Sequence, residues 1–329
     1  MHSRRNSLPP RNRRLRRTVA RLLVAVPALS LTGCPSGDDG GCIPYDGGPA
    51  RGGSYETLLD GGVPTNENCM EVCLRRWTNT ERCEVQTSPA TYLDGGQGVS
   101  TTTYCHYYSP GGCASDGRLP EGLLEPRVEA HCALGAHFAQ VAWMEAASVP
   151  AFLRLADELK AHGAPEGLVR AARRSAGDEV RHTRVAGALA RRHGASVPEV
   201  ELRPFSSRSL EDMVLENARE GCVRETFGAV VAAWQARHAQ DAQVREELGR
   251  IAEDELRHAE LAWAVDAWAA EQLTPAERQR VRTARIEAFH ELERLLAEQA
   301  LEDVLIQQAG LPSRDAALHL LRGLQPLIA

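Results

Sequence analysis

The 329 residues carry 38 basic and 44 acidic side chains, and 43% of them are hydrophobic, the proportions of a globular chain with room for one large domain or two ordinary ones. Eight arginines (Arg4, Arg5, Arg11, Arg13, Arg14, Arg16, Arg17 and Arg21) crowd the first 33 residues without one acid. Beyond them 30 basic groups face 44 acidic ones, a net charge of −14 that disfavours nucleic acid as a partner.

The arginine-rich start runs into LLVAVPALSL, the pattern of a secretory signal and too short and one-sided for a lasting transmembrane helix. The stretch ends in Leu31-Thr32-Gly33-Cys34, which resembles the lipobox of bacterial lipoproteins. The resemblance implies that residues 1–33 are removed, that Cys34 is lipidated, and that the protein is held on the lipid bilayer of a bacterial cell envelope, at the outer membrane or facing the periplasm.

Residues 34–124 are rich in Gly, Pro, Ser and Thr and contain Cys42, Cys69, Cys73, Cys83, Cys105 and Cys113. In an exported chain this predicts a loop-dominated, disulfide-stapled segment; a zinc site is disfavoured because paired Cys-x-x-Cys knuckles are missing. Six cysteines allow 15 pairings, among which spacing does not choose. All six tyrosines of the chain also lie here (Tyr45, Tyr55, Tyr92, Tyr104, Tyr107 and Tyr108).

From about residue 125 the chain turns to Ala, Leu, Glu and Arg with helical periodicity, which predicts an all-α domain over 125–273 and further C-terminal helices over 274–329. The first helix should run from about 128 to 162 and stop at Gly163; the second starts with Pro165 at its first turn and stops at Gly194. A third helix should run from Ser209 to about His238 and a fourth from Asp241 to about 272, followed by the capping box Thr274-Pro275-Ala276-Glu277. Short turns make each successive pair an antiparallel hairpin. The connection 194–208 is longer, and its 15 residues reach ~50 Å, enough to travel the ~42 Å of a 28-residue helix. Two hairpins with one long crossover form a ferritin-like four-helix bundle.

One word occurs twice in this domain: DEVRH at 178–182 and DELRH at 254–258. Glu179 with His182, and Glu255 with His258, are three apart and so stack on one helix face. That face is apolar, for it collects Leu168, Ala172, Ser175, Ala186 and Leu189 on the second helix and Ile251, Ala259 and Ala262 on the fourth. A charge there is strongly unfavourable unless a metal or a buried ion pair compensates it. On the first helix Glu145 occupies a similar row with Phe138, Val141, Ala142, Ser148, Phe152 and Leu155. On the third, superposing the halves by their words aligns Glu220 with Glu145, leaving Glu216 one turn away as an alternative. Glu225 lies ~140° around an α-helix from Glu220 and is the least favoured of the three.

Glu145 with 32 intervening residues before DEVRH, and Glu220 with 33 before DELRH, resemble the di-iron carboxylate proteins of the ferritin-like superfamily. The resemblance covers about 145–265. It implies a dinuclear centre of two iron ions, or manganese, held by Glu145, Glu179, His182, Glu220, Glu255 and His258. It also gives the remaining letters a role: Asp178 would hold the imidazole of His258 and Asp254 that of His182, with Arg181 and Arg257 clamping the two carboxylates. The chemistry implied is O2- or peroxide-dependent oxidation or ferroxidase activity, served by an unidentified electron donor. The alternative is a non-enzymatic metal-binding or structural surface lipoprotein. A tyrosyl-radical role is disfavoured because the helical part has no tyrosine. Trp143, Trp234, Trp263 and Trp268 are expected to serve packing. A bond between Cys132 and Cys222 is geometrically poor, so Cys132 is expected to pair elsewhere.

Overall fold

The computed structural model describes residue 9 and residues 11–25, 50–54, 62–76, 80–91, 97–107, 118–124, 130, 132–299 and 301–328. Cys34 with its lipobox, Cys42 and Cys113 lie outside these residues. The chain forms two compact units: one of residues 46–110 and 124–126, the other of 1–45, 111–123 and 127–329.

The smaller unit is more ordered than its composition suggests. Three antiparallel strands, β1 (Ala50–Ser54), β2 (Thr80–Thr91) and β3 (Gln97–Tyr107), lie in the order β1-β3-β2. A short helix, α2 (Cys69–Arg76), is tied to β2 by a disulfide between Cys69 and Cys83. Among the described residues, the segment expected to be loop-dominated thus also holds a sheet and a helix. Its Thr and Val residues are β-branched and suit a pleated surface, whereas Ser and Thr had counted toward loops. Cys73 is also disulfide-bonded, as is Cys132 in the other unit, while Cys222 is a buried free thiol.

The larger unit is helical. Its long elements are α3 (Ala133–Ala161), α4 (Glu166–Arg192), α6 (Thr226–His238) and α7 (Ala242–Ala270); α3 packs along α4, α6 along α7, and α4 against α7. The ends follow local chemistry. Gly163 and Gly194 close α3 and α4 with φ of 73° and 72°, in the left-handed region that a side chain resists. At the N-termini, Ser209 Oγ accepts from the Asp212 amide at 3.1 Å and Asp241 Oδ1 from those of Gln243 and Val244. The capping box of α8 (Pro275–Glu298) is formed at both bonds, Glu277 N–H to Thr274 Oγ1 and Thr274 N–H to Glu277 Oε2. The chain ends in α9 (Asp303–Gln307), α10 (Arg314–Arg322) and α11 (Gln325–Ile328).

Three features depart from the sequence-based expectation. The third helix is interrupted: α5 (Leu210–Glu216) passes into a π-helix over Asn217–Glu225 before α6 begins. Arg118 to Leu123, grouped by composition with the cysteine-rich part, belong to the helical unit, where the buried Arg118 donates both Nη atoms to Asn217 Oδ1 at 3.3 and 3.2 Å. Lastly, part of the stretch assigned to the export signal is α1 (Arg13–Ala25), whose Leu15, Val19, Leu22 and Leu23 share a core with Phe289, Leu292 and Leu320. Arg16 ties it down through Glu260 at 2.7 Å and Glu253 at 2.9 Å. An amphipathic face can satisfy a protein core as well as a bilayer, so the same residues suit both roles. No helix among the described residues is long and apolar enough to cross a membrane.

The π segment is wedged against α7 through Gly221, where an added Cβ would come within 2.6 Å of Ala262 Cβ and 2.9 Å of Asn217 Oδ1. Gly221→Ala should therefore cost about 1–3 kcal/mol by overpacking. Chemical denaturation checks this; an unchanged midpoint would show that the two helices are not in close contact.

Candidate metal centre

α3 and α4 bring Glu145 and Glu179 together because the turn at 162–165 lies midway between them in the chain. α7 brings Glu255 to the same place. Ligand atoms of Glu145, Glu179, His182 and Glu255 all lie within 4.8 Å of one another, and all four residues are buried. His182 turns Nδ1 toward Glu255 Oε1 at 3.1 Å, Glu179 Oε2 at 3.3 Å and Glu145 Oε2 at 3.6 Å. His258 repeats this from α7, with Nδ1 3.1 Å from Glu179 Oε1 and 3.5 Å from Glu255 Oε1. The imidazole rings lie 5.9 Å apart, and the Phe152 ring lies 5.0 Å from that of His258 in a T-shaped arrangement.

These atoms are close without being hydrogen-bonded. Glu145 Oε2, both oxygens of Glu179, Glu255 Oε1 and Nδ1 of both histidines have no hydrogen-bond partner, although the ion-pair distances are short. A buried polar atom is normally satisfied only by an aligned partner, and proximity alone does not supply one. Lone pairs that converge on one point and miss each other's hydrogens are the arrangement a cation satisfies. Carboxylate oxygens with imidazole nitrogen suit iron, manganese or zinc, and without a thiolate they do not select the softer ions. The buried cluster of Glu145, Glu179, His182 and Glu255 can thus hold a metal ion.

The electrostatics agree with this geometry. Burial and the neighbouring Glu179 push the Glu145 carboxyl well above its ordinary range. For Glu179, burial pushes the other way but is outweighed by Glu145, His258 and His182, which hold it low. Burial opposes charge on His182 and His258 as well, yet the surrounding carboxylates raise both. The same carboxylates that favour positive charge on the rings would favour a bound cation, and any proton on a ligating nitrogen must leave when a metal enters.

The other nitrogen of each ring points outward to the opposite hairpin. His182 Nε2 is 3.3 Å from Asp254 Oδ2, and His258 Nε2 is 3.4 Å from Asp178 Oδ2. Arg181 bonds Asp178 at 3.1 Å and also reaches Asp254; Arg257 bonds Asp178 at 3.1 Å and also reaches Asp254. Each arginine bridges both aspartates, so the clamp is a single cross-linked cluster between α4 and α7. Replacing Asp254 by Asn should weaken metal binding by about 10–100-fold, because the His182 ring loses the carboxylate that orients it. Titration with Mn(II) checks this, and an unchanged affinity would reduce the Asp–Arg cluster to surface charge.

The third helix is where the sequence misplaced a residue. Glu220 has other neighbours: its Oε2 accepts from the Leu119 amide at 3.3 Å, its Oε1 is 3.5 Å from Arg224, and it lines a cavity of about 790 Å³ with Arg154, Phe205 and Arg208. Glu216 lines the same cavity, held by Arg208 at 2.6 Å, and Arg208 also chelates Glu158. Glu225 instead is buried, with neither oxygen hydrogen-bonded, and has His258, Glu255 and Glu179 among its charged neighbours. Burial pushes its carboxyl up to about 8. The π-helix over Asn217–Glu225 bonds i→i+5 and turns each residue by less than the ~100° of an α-helix, so a position counted through it at constant pitch lands on the wrong face. Aligning the two words assumed one helical pitch throughout.

The tryptophans pack, as residue type suggests: Trp143 and Trp234 are buried, and Trp263 Nε1 donates to Thr226 Oγ1 at 3.1 Å. Compared with protein-family models, curated proteins and solved structures, the chain matches none. The site alone carries the functional argument.

Proposed function

We propose that this protein is a ferritin-like oxidoreductase with a dinuclear iron or manganese centre, reacting with O2 or peroxide and anchored to a bacterial envelope through lipidated Cys34. The observation that carries the reading is the convergence of unpartnered carboxylate oxygens and two Nδ1 atoms in an apolar interior. Two hairpins, α3 with α4 and α6 with α7, supply the halves of the site, and the long link at 193–209 separates them.

Glu145, Glu179, His182, Glu255 and His258 would hold the ions, with Glu225 in the place expected of Glu220. Bound iron would supply one-electron chemistry toward O2 or peroxide. The protein's own residues prepare for it: Asp178 and Asp254 keep each Nε2 engaged so that Nδ1 faces inward, Arg181 and Arg257 keep those aspartates charged, and the Phe152 ring packs against that of His258. The lipid anchor rests on the lipobox-like Leu31-Thr32-Gly33-Cys34, and mass spectrometry of the N-terminus tests it: an unmodified Cys34, or a chain that still contains α1, would overturn it.

For the centre itself, elemental analysis after reconstitution should find close to two metals per chain; well under one would sink the reading. Stopped-flow absorbance after mixing the Fe(II)-loaded protein with O2 or H2O2 should show a rapid change. A stable, unreactive centre would instead assign the bundle a structural role.

A further inference from the structure

The long link between the hairpins does more than span the bundle. Residues 203–206 and Arg208 of that link, residues 119–122, Arg154 of α3 and the first turns of the third helix line one cavity of about 790 Å³. Small-molecule sites run to ~300–1,000 Å³, so the space suits an organic guest better than an ion. Four carboxylates and four guanidiniums stand in its wall, and they are unevenly satisfied. Each carboxylate has a partner: Glu216 Oε2 accepts from Arg208 at 2.6 Å, Glu121 Oε2 from Arg208 at 3.3 Å, Asp212 Oδ2 from Ser209 Oγ at 2.6 Å, and Glu220 Oε2 from the Leu119 amide at 3.3 Å. Of the guanidiniums only Arg208 is fully engaged. Arg203 and Arg219 are exposed and have no ion-pair partner among the described residues. Arg154 keeps only 9% of its side chain exposed, yet its acceptors are both on Glu121, at 3.3 and 3.5 Å, and its Nε has no hydrogen-bond partner.

Each property restricts the occupant. A buried guanidinium with an unmade bond is unfavourable until an anion completes it, and an oxyanion can take two of its N–H groups side by side. The four carboxylates limit how much negative charge may enter. A phosphate ester carries about −1.5 to −2 and is repelled more strongly than a carboxylate of single charge. The remaining wall asks for an apolar body: Leu119, Pro204, Leu215 and Phe205 supply it. Phe205 leaves 45% of its surface exposed, but Arg154 Cζ lies 3.1 Å and Arg208 Cζ 5.3 Å from its ring centroid, so two cations hold the ring in place. An aromatic surface already fixed costs a guest little ordering.

We propose that this cavity binds an organic monocarboxylate, its carboxylate on Arg154, Arg203 and Arg219 and its apolar body against Phe205, Leu119 and Leu215. The site goes beyond the metal-centred reading. None of the residues assigned to the ions lines the cavity, so the binding needs no metal.

The test is isothermal titration calorimetry of the full-length, chelator-treated protein at one fixed ionic strength, with 4-phenylbutyrate and octanoate as probes. At least one should bind saturably, close to one per chain. The uncharged 4-phenylbutyramide should bind at least ~10-fold more weakly than 4-phenylbutyrate, because it forgoes the charge-assisted bonds, and 4-phenylbutyl phosphate should also bind more weakly. Failure of both carboxylates to bind, an amide that binds equally, or a phosphate that binds more tightly would each overturn the proposal. The double variant Arg203→Gln, Arg219→Gln removes two exposed side chains and should weaken the carboxylate by ~10-fold or more, while Arg250→Gln, exposed on α7, should leave it unchanged. An unchanged affinity in the double variant places the carboxylate elsewhere and rejects the site. Arg154→Gln should weaken binding as well; should that buried variant not fold, the double variant still decides. Carboxylate bound without metal sinks only the metal centre, and metal bound without carboxylate sinks only this inference.

Discussion

Saturating Mn(II), or Fe(II) without oxygen, should raise the melting temperature of the metal-free protein by roughly 5–10 °C, and Glu179→Ala should lose that increment. A ligand at 100 times its Kd stabilises the folded state by ~2.7 kcal/mol, and 1 kcal/mol moves the melting point of a unit this size by ~2–4 °C. Glu179 is the decisive residue because it is fully buried and lies between both histidines, 3.3 Å from His182 Nδ1 and 3.1 Å from His258 Nδ1. Its removal also changes the metal-free stability, so the quantity to compare is the metal-induced increment. Differential scanning calorimetry with and without metal measures it, and an equal increment in the variant would remove Glu179 from the ligand set.

The second large effect separates two glutamates five residues apart. Glu225→Gln should lower metal affinity by ~10-fold or more, the least that loss of even a supporting group costs, while Glu220→Gln should leave it intact. The same carboxyl makes a pH prediction for the metal-free protein. Its folded value near 8 is raised above its ordinary 4.5, so between those limits the folded state holds a proton that the unfolded state has lost. Stability must then fall as pH rises through that window. With a chelator present, Glu225→Gln should gain on the unaltered protein from pH 5 to pH 8, read as the difference between their melting points. A constant difference would show that Glu225 is solvated, and metal loss in Glu220→Gln instead would restore the α-helical register.

The fate of these two residues marks where sequence stops. The repeated words, Glu145, and the ends of α3, α4 and α8 are legible because each depends on short-range rules: residues three or four apart share a face, glycine accepts positive φ, and Thr with Glu closes a capping box. The crosswise pairing of each aspartate with the other hairpin's histidine is what the resemblance to the di-iron carboxylate proteins implies. Composition also separated a cysteine-rich part from a helical one, although it undervalued threonine as a strand former and so missed β2 and β3.

What tertiary structure alone decided lies on the third helix and at the N-terminus. The π-helical register over Asn217–Glu225 accompanies contacts far away in the chain: Arg118 to Asn217 Oδ1, Asn217 Nδ2 to Ala262 O at 3.0 Å, and Gly221 against α7. No local periodicity encodes such partners. The docking of α1, the half-satisfied Arg154 and the cavity it lines have the same origin. They arise where side chains distant in the chain meet, fit or fail to fill space, and packing settles that only when the whole unit closes.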